Sequence, residues 1–386
     1  MKRGFFIMLL IMALMCASCT PSEDKAINSE TDNIAEVDVP EGYNGGVDEI
    51  LSEMTLEEKV YQMFIIRPES ITDVGTVIQA GDATKAALEQ YPVGGIIYSA
   101  DNLIDVEQTR TMIENTRNYS KIAPFISVDE EGGDVARVAQ KLGTTKFEPM
   151  YNYKNGGADT ANDIYTTIAN DIKSLGFNLD FAPVADVWTN PDNRVIGTRA
   201  FSDDPAQAAE MVSAAVSGLQ DNGVSASIKH FPGHGNTKGD SHTGFVYTSK
   251  TLDELRECEF LPFMAGIEAG TDFVMVGHII VPDVDDVPAT LSHIIVTDIL
   301  KGELGYDGIV ITDGMEMGAI AENYISADAT VMAVQAGCDV ILEPEDFNES
   351  ADALMAAVNS GVISEECINE SVRKILECKL RRGIIK

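Results

Sequence analysis

Cations are scarce in this 386-residue chain: 27 Lys and Arg stand against 62 Asp and Glu, a formal net charge of −35. Nucleic-acid recognition needs clustered positive charge along the phosphates, so the imbalance excludes it and leaves a well-solvated acidic surface. Tryptophan occurs once and cysteine six times. Beyond Cys16 and Cys19, the remaining Cys258, Cys338, Cys367 and Cys378 form no C-x-x-C pair, so there is no zinc signature. In a domain this long they are expected as buried thiols and not as a disulfide framework. No G-x-G-x-x-G follows a strand-like run, and no repeat of fixed period interrupts residues 45–386.

Long apolar runs are also missing, with one exception at the start. The basic MKRG, the eleven apolar residues FFIMLLIMALM and the exit CASC have the layout of a secretory signal. The run is too short to cross a bilayer as a stable helix. Ala17 and Ser18 ahead of Cys19 predict cleavage that leaves Cys19 as a lipid-bearing N-terminus, as in bacterial lipoproteins; plain cleavage and secretion is the alternative. The expected location is then the outer face of a bacterial cytoplasmic membrane, with membrane contact through that lipid alone. Residues 20–44 are polar and acidic with few large apolar side chains, the composition of a tether. One folded domain is expected over 45–386.

Within that domain, short β-branched apolar runs alternate with amphipathic stretches. Strands are predicted near 62–66, 94–99, 124–129, 177–183, 225–230, 273–278, 308–313 and 339–344, and helices over 105–117, 158–175, 205–222, 252–268, 324–337 and 347–360. Thr55 and Glu58 have capping-box spacing, which opens a helix before the first strand. Eight alternations with continuously apolar strands predict an α/β fold, a single (β/α)8 TIM-type barrel. A doubly wound open sheet would need fewer strands or a phosphate loop.

Polar residues close most of these strands: Asp129, Asp186, Lys229 with His230, His278, Asp313 and Glu343. A parallel barrel opens all its strand C-termini on one face, where such enzymes place their chemistry. Asp313, leaving a buried strand before Gly314, suits a nucleophile or an electrostatic stabiliser. Three of the five histidines fall in KHFPGHGNTKGDSH, residues 229–242, after the fifth strand. Asp240 and His242 are two apart, and a turn there brings carboxylate to imidazole, favouring a protonated ring that serves as general acid and then base. Asp129, Arg199, Lys229 and His230 supply donors and an acceptor around the same mouth, as a ligand with several hydroxyls requires. Metal binding by His230, His234 and His242 is a rival reading, weakened because two of the three lie in a loop and not on a strand end.

Six blocks, DEEGGDVARV, NLDFAPVADV, NRVIGTRAF, KHFPGHG with GDSH, MVGHIIVPDVDDVPATLS and ITDGMEMGAI, resemble in order those of family 3 glycoside hydrolases, and more narrowly their β-N-acetylhexosaminidase branch. The resemblance covers residues 47–386, and its most specific element is the Asp-x-His pair; other branches take their acid from a Glu of a second domain. It implies a retaining exo-β-N-acetylglucosaminidase with Asp313 as nucleophile and His242, paired with Asp240, as acid and base. Asp129, Arg137, Arg199, Lys229 and His230 would hold the sugar, with His278 close by, and neither cofactor nor metal is implied. The implied substrate is an oligosaccharide or muropeptide carrying N-acetylglucosamine, from cell wall or chitin. A phosphorylase of the same family, a metal-dependent barrel hydrolase and a solute-binding lipoprotein are the alternatives. Asp134, Asn236 and Ala200 depart from the family's frequent residues, and 67–92 has no counterpart.

Overall fold

The computed structural model describes residues 46–72 and 74–386, so the expected signal, tether and lipid-bearing Cys19 lie outside the described residues. Eight strands form the central sheet: β1 Phe64–Ile66, β2 Gly95–Ile97, β3 Phe125–Val128, β4 Leu179–Asp180, β5 Ser225–Phe231, β6 Phe273–Val276, β7 Ile309–Thr312 and β8 Ile341–Leu342. Each pairs in parallel with the next in sequence, and β8 pairs with β1. A parallel bridge between Ile311 and Val340 joins β7 to β8 and closes the ring. The predicted barrel is therefore present, strand for strand. All eight strands are buried almost throughout, which is why they read as unbroken apolar runs.

The helices follow the expected alternation with one instructive difference. The stretch read as one helix over 252–268 is two, Leu252–Glu257 and Phe260–Glu268, with Cys258 at φ −134°, ψ −76° between them. Pro262 explains the break: it has no N–H for the carbonyl of Cys258, and its ring collides with that carbonyl in a continuous helix. Thr55 and Glu58 make both hydrogen bonds of the capping box, 3.2 and 3.0 Å. Helices the sequence reading left out include Asp82–Gln90 and the long Glu365–Arg381. Of the four cysteines, Cys338 and Cys378 are buried and Cys258 and Cys367 half-buried, all as free thiols.

Glu365–Arg381 closes the N-terminal mouth of the barrel. Phe125 of β3 and Phe273 of β6, three strands apart around the ring, meet edge to face at 5.1 Å, so their contact crosses the interior. Lys379 enters beneath them, fully buried, with its Nζ 2.8 Å from Gln62 Oε1 and 5.3 Å from the centre of the Phe125 ring. Burial away from any carboxylate lowers the pKa of this ammonium from the ordinary 10.5 to about 7. Below pH 7 both folded and unfolded chains hold the proton, and the fold bears the whole cost of the buried charge. Between about 7 and 10.5 only the unfolded chain binds it, so this group makes stability rise with pH across that window. Lys379→Met should therefore stabilise the fold by about 2–4 kcal/mol at pH 6. The gain should shrink steadily toward pH 10, as read by urea unfolding of variant and parent side by side; a gain independent of pH would contradict the assignment.

Candidate active site

At the opposite end, the polar strand ends converge. Asp129, Arg137, Arg199, Lys229, His230, His242 and Asp313 line one cavity of about 320 Å³, within the size range of small-ligand pockets. The wall beneath them is a charge network. Lys229, buried at the end of β5, lies 2.6 Å from Asp129 and 2.6 Å from Glu131. Glu131 in turn takes both Nε and Nη2 of Arg199, at 2.8 and 2.7 Å. Burial alone would raise the Glu131 carboxyl, but Arg199 and Lys229 hold it well below the usual carboxylate range. Burial alone would likewise lower Lys229, and Asp129 with Glu131 holds it above its ordinary value instead. Two fixed cations and a free Asp129 oxygen thus face the cavity without an uncompensated charge beneath them.

Asp313 follows β7 with one carboxylate oxygen held by the Gly314 N–H at 2.9 Å. Burial would raise its pKa; His230 and His278 nearby, the Gly314 N–H and Lys229 outweigh that and lower it. The group is ionised and half its carboxylate remains unbound by hydrogen bonds, as nucleophilic attack requires.

The loop after β5 supplies the imidazole. Asp240 through Thr243 make a turn closed by the Thr243 N–H on the Asp240 carbonyl, 3.0 Å. Within it Asp240 Oδ1 accepts from the backbone N–H of His242 at 3.0 Å and lies 2.6 Å from its Nδ1. Burial opposes ionisation of Asp240, but these His242 donors prevail and lower its pKa. An ionised Asp240 can only accept, so Nδ1 carries a hydrogen and Nε2 is left for a ligand. The loop is tied across the barrel: Ala319 N–H donates to the Ser241 carbonyl at 2.9 Å and Gly318 N–H to the His242 carbonyl at 3.3 Å. A Cβ at Gly318 would sit 2.7 Å from that carbonyl oxygen, and one at Gly235 only 1.9 Å from the Val187 carbonyl oxygen, so both glycines permit close approach.

His230 and His278 differ in their exposure to the cavity. His230 Nδ1 lies 2.7 Å from Asp186 Oδ2, which leaves its other nitrogen for the cavity it lines. His278, expected near the sugar, does not line the cavity. Its Nδ1 is 2.8 Å from Thr290 Oγ1 and its Nε2 is 2.9 Å from the Gly314 carbonyl, so both nitrogens are occupied and Nε2 holds the turn that carries Asp313. Burial lowers its pKa. Among the described residues no group of three or more His, Cys, Asp or Glu side chains is arranged to hold a metal ion.

The profile of the glycosyl hydrolase family 3 N-terminal domain matches residues 55–378. The chain belongs to glycosyl hydrolase family 3. It is 32% identical to beta-hexosaminidase A of Pseudoalteromonas piscicida, over 76% of this chain and 54% of that protein. With the beta-hexosaminidase of Stenotrophomonas maltophilia strain K279a it shares 35% identity over 69% of this chain and 81% of that one. A family 3 beta-N-acetylglucosaminidase from Paenibacillus sp. str. FPU-7 superposes with a TM-score of 0.81 and 37% identity, over 86% of this chain and 63% of that one. The chain thus spans little more than half the length of the first of these relatives. Membership places it in a family of glycosidases built on this barrel.

Several wall residues of this family 3 cavity escape the motif reading. Glu131 is the third acid of DEEGG, and its role becomes visible only when Lys229 and Arg199 arrive from β5 and the loop after β4. Arg67, from the segment that had no counterpart, pairs with Glu316 and Glu343 at the rim. Glu343, pushed up to about 7 by burial, has φ +44°, the one positive φ of a non-glycine among the described residues. Of the departing residues, Asp134 is exposed, Ala200 packs with Val184 and Ile196, and Asn236 accepts from Ser249 at 3.1 Å; none lines the cavity. Glu131→Gln should cost about 3–5 kcal/mol in denaturant unfolding, because it strands Arg199 and half of Lys229 without their counter-charge. A cost under about 1 kcal/mol would place the network's importance elsewhere.

Proposed function

We propose that this chain is a retaining exo-β-N-acetylglucosaminidase in which Asp313 is the nucleophile and His242 the acid and base. The observation that carries the reading is that an ionised, half-unbound Asp313 and a His242 oriented by Asp240 line one cavity of monosaccharide dimensions. The names of the beta-hexosaminidase relatives support the choice of sugar.

In the first step the free oxygen of Asp313 forms a bond to the anomeric carbon as the bond from that carbon to the leaving oxygen breaks. His242 Nε2–H gives its proton to that oxygen, and Asp240 accepts from Nδ1–H throughout, so the ring passes from imidazolium to imidazole while remaining oriented. The glycosyl ester is then opened by water. Neutral His242 takes one proton of the water, the water oxygen bonds to the anomeric carbon, and Asp313 leaves as carboxylate. Two inversions give net retention. A carboxylate and an imidazole divide the two roles because their titrations are separated by residue type. The family's more usual pair of carboxylates, about 5–5.5 Å apart in retaining enzymes, is replaced here by an acid carried on a docked loop.

Asp129, Arg137, Arg199, Lys229 and His230 hold the sugar hydroxyls and acetamide, with His278 behind them keeping the Asp313 turn in place. The glycan is of cell-wall or chitin type, and Cys19 anchors the chain outside the cytoplasmic membrane. Loss of labelled lipid incorporation in Cys19→Ser checks the anchor.

Asp313→Asn should lower kcat on an aryl β-N-acetylglucosaminide by about 10³-fold or more, and azide should not leave a substrate-level rate in its place. His242→Ala should slow alkyl glycosides far more than activated aryl ones, since only the former need a proton on the leaving oxygen; equal losses would remove its role as acid. Gly318→Ala, which pushes a Cβ against the His242 carbonyl, should reduce kcat/KM by about tenfold or more with little change in melting. Accumulation of sugar 1-phosphate in phosphate buffer would turn the reading to phosphorolysis.

A further inference from the structure

Three aromatic side chains crowd the fastening that holds the His242 loop, and the chemistry so far uses none of them. Val246 is buried where the short strand Val246–Tyr247 pairs with Ile279 and Ile280. Its neighbours Phe245 and Tyr247 project the other way, 37% and 51% exposed. Tyr324 comes from the opposite half of the fastening. Its N–H donates at 2.9 Å to the carbonyl of Ile320, in the helix Gly318–Ala321 whose first two residues hold the His242 and Ser241 carbonyls. The rings of Phe245 and Tyr324 meet edge to face, 6.4 Å apart at 78°. Burial, with Asp285 and Tyr247 close by, raises the Tyr324 phenol above its ordinary value, which puts Tyr247 beside the same pair.

Beyond Tyr324 an open groove of about 750 Å³ continues past Ile325, Val331 and Met332. Ile325, beside Tyr324, is 61% exposed. Isolated exposed apolar side chains are ordinary, but a contiguous set that starts at a reacting group and leads into a groove marks a place where a ligand lies.

The reaction decides which part of the ligand that is. His242 must reach the oxygen of the scissile bond, so the leaving group departs along the His242 side of the mouth while the retained sugar stays against Asp129, Arg199 and Lys229. Phe245 follows His242 by three residues, so their Cα atoms are at most about 11 Å apart, a span that a short oligosaccharide covers. A β-linked pyranose with equatorial substituents turns apolar C–H faces outward, and these lie well against aromatic rings. Charge narrows the choice. Asp240 and Asp285 flank the aromatic residues and Asp328 lies in the groove, against Lys238, whose backbone bridges Tyr247. A leaving sugar that carries a carboxylate meets net negative charge there, and an uncharged one does not.

We propose that Phe245, Tyr247 and Tyr324 form a binding platform for the leaving-group side of an uncharged, chitin-type oligosaccharide, with the groove beyond Tyr324 taking its further sugars. The platform rests on the glycosidase reading above and narrows its substrate from cell-wall or chitin glycans to the neutral class.

The test compares Phe245→Ala, Tyr324→Ala and Phe245→Tyr with wild type in the full chain. Substrates are chitobiose, chitotriose, N-acetylglucosaminyl-N-acetylmuramic acid, and methyl β-N-acetylglucosaminide, whose leaving group is too small to reach the platform. Each Ala variant should lose about tenfold in kcat/KM on chitotriose and stay within about twofold of wild type on the methyl glycoside, which also shows that the variant is folded. Phe245→Tyr, which keeps the ring, should stay near wild type on both. Wild type should prefer chitotriose to chitobiose, and chitobiose to the muramic acid disaccharide. Equal losses on chitotriose and the methyl glycoside, no loss on either, or a preference for the muramic acid disaccharide would overturn the platform while leaving the glycosidase reading in place. If wild type turns over none of the four, the glycosidase reading falls, and the platform with it.

Discussion

Two backbone hydrogen bonds, from Gly318 and Ala319 to the carbonyls of His242 and Ser241, bring the chemistry of this molecule together. A closed parallel barrel fixes Asp313 at the end of β7 without help, because the strand is paired on both sides and buried throughout. It does nothing of the kind for His242, which sits on a glycine-rich excursion after β5, two strands away around the ring. Fastening that excursion to the turn after β7 converts two distant segments into opposite walls of one pocket. The same attachment explains why the turn residue is Gly318: any side chain there would displace the carbonyl it must hold.

A second layer of interactions makes the pocket affordable in electrostatic terms. Asp129, Glu131, Lys229 and Arg199 form an alternating series in which each buried charge has an opposite neighbour within 2.8 Å. Their hydrogen-bonding capacity is thereby pre-oriented toward a polar ligand, and no reorganisation is needed when water is displaced. His278 and Asp186 work one step further back. They touch no part of the cavity's contents but fix the Gly314 carbonyl and the His230 ring, so that residues facing the ligand inherit their direction from residues that do not.

Much of this architecture was legible in the order of residues. Eight buried strands announced themselves as apolar runs because a barrel covered by helices leaves them no solvent face, and the polar residues at most of the runs' ends marked the open face. Asp313, Asp240 and His242 were legible for the same reason: each sits where a strand or its loop must emerge. What escaped was whatever depends on long-range partners. Glu131 looks like one acid among three in DEEGG until Lys229 and Arg199 are seen around it, and Arg67 has no motif because its meaning comes from Glu316 and Glu343, some 250 residues away in sequence. The family resemblance put His278 close to the sugar, whereas the Thr290 hydroxyl and the Gly314 carbonyl claim both its nitrogens. His234 read as part of a loose loop, yet Asn193, Thr237 and Asp186 lock it in place. Local pattern reports the direction of a strand well, and it reports poorly which side chain of a crowded rim reaches the centre.

The account depends most on Asp313 and His242 addressing the same sugar from opposite sides of its anomeric carbon. A crystal structure of the Asp313→Asn chain with an intact N-acetylglucosaminide measures this directly. The predicted result has the residue at 313 about 3–3.5 Å from the anomeric carbon and His242 Nε2 within hydrogen-bond reach of the glycosidic oxygen. A complex in which the sugar contacts one of these residues while the other faces a separate space would contradict the mechanism.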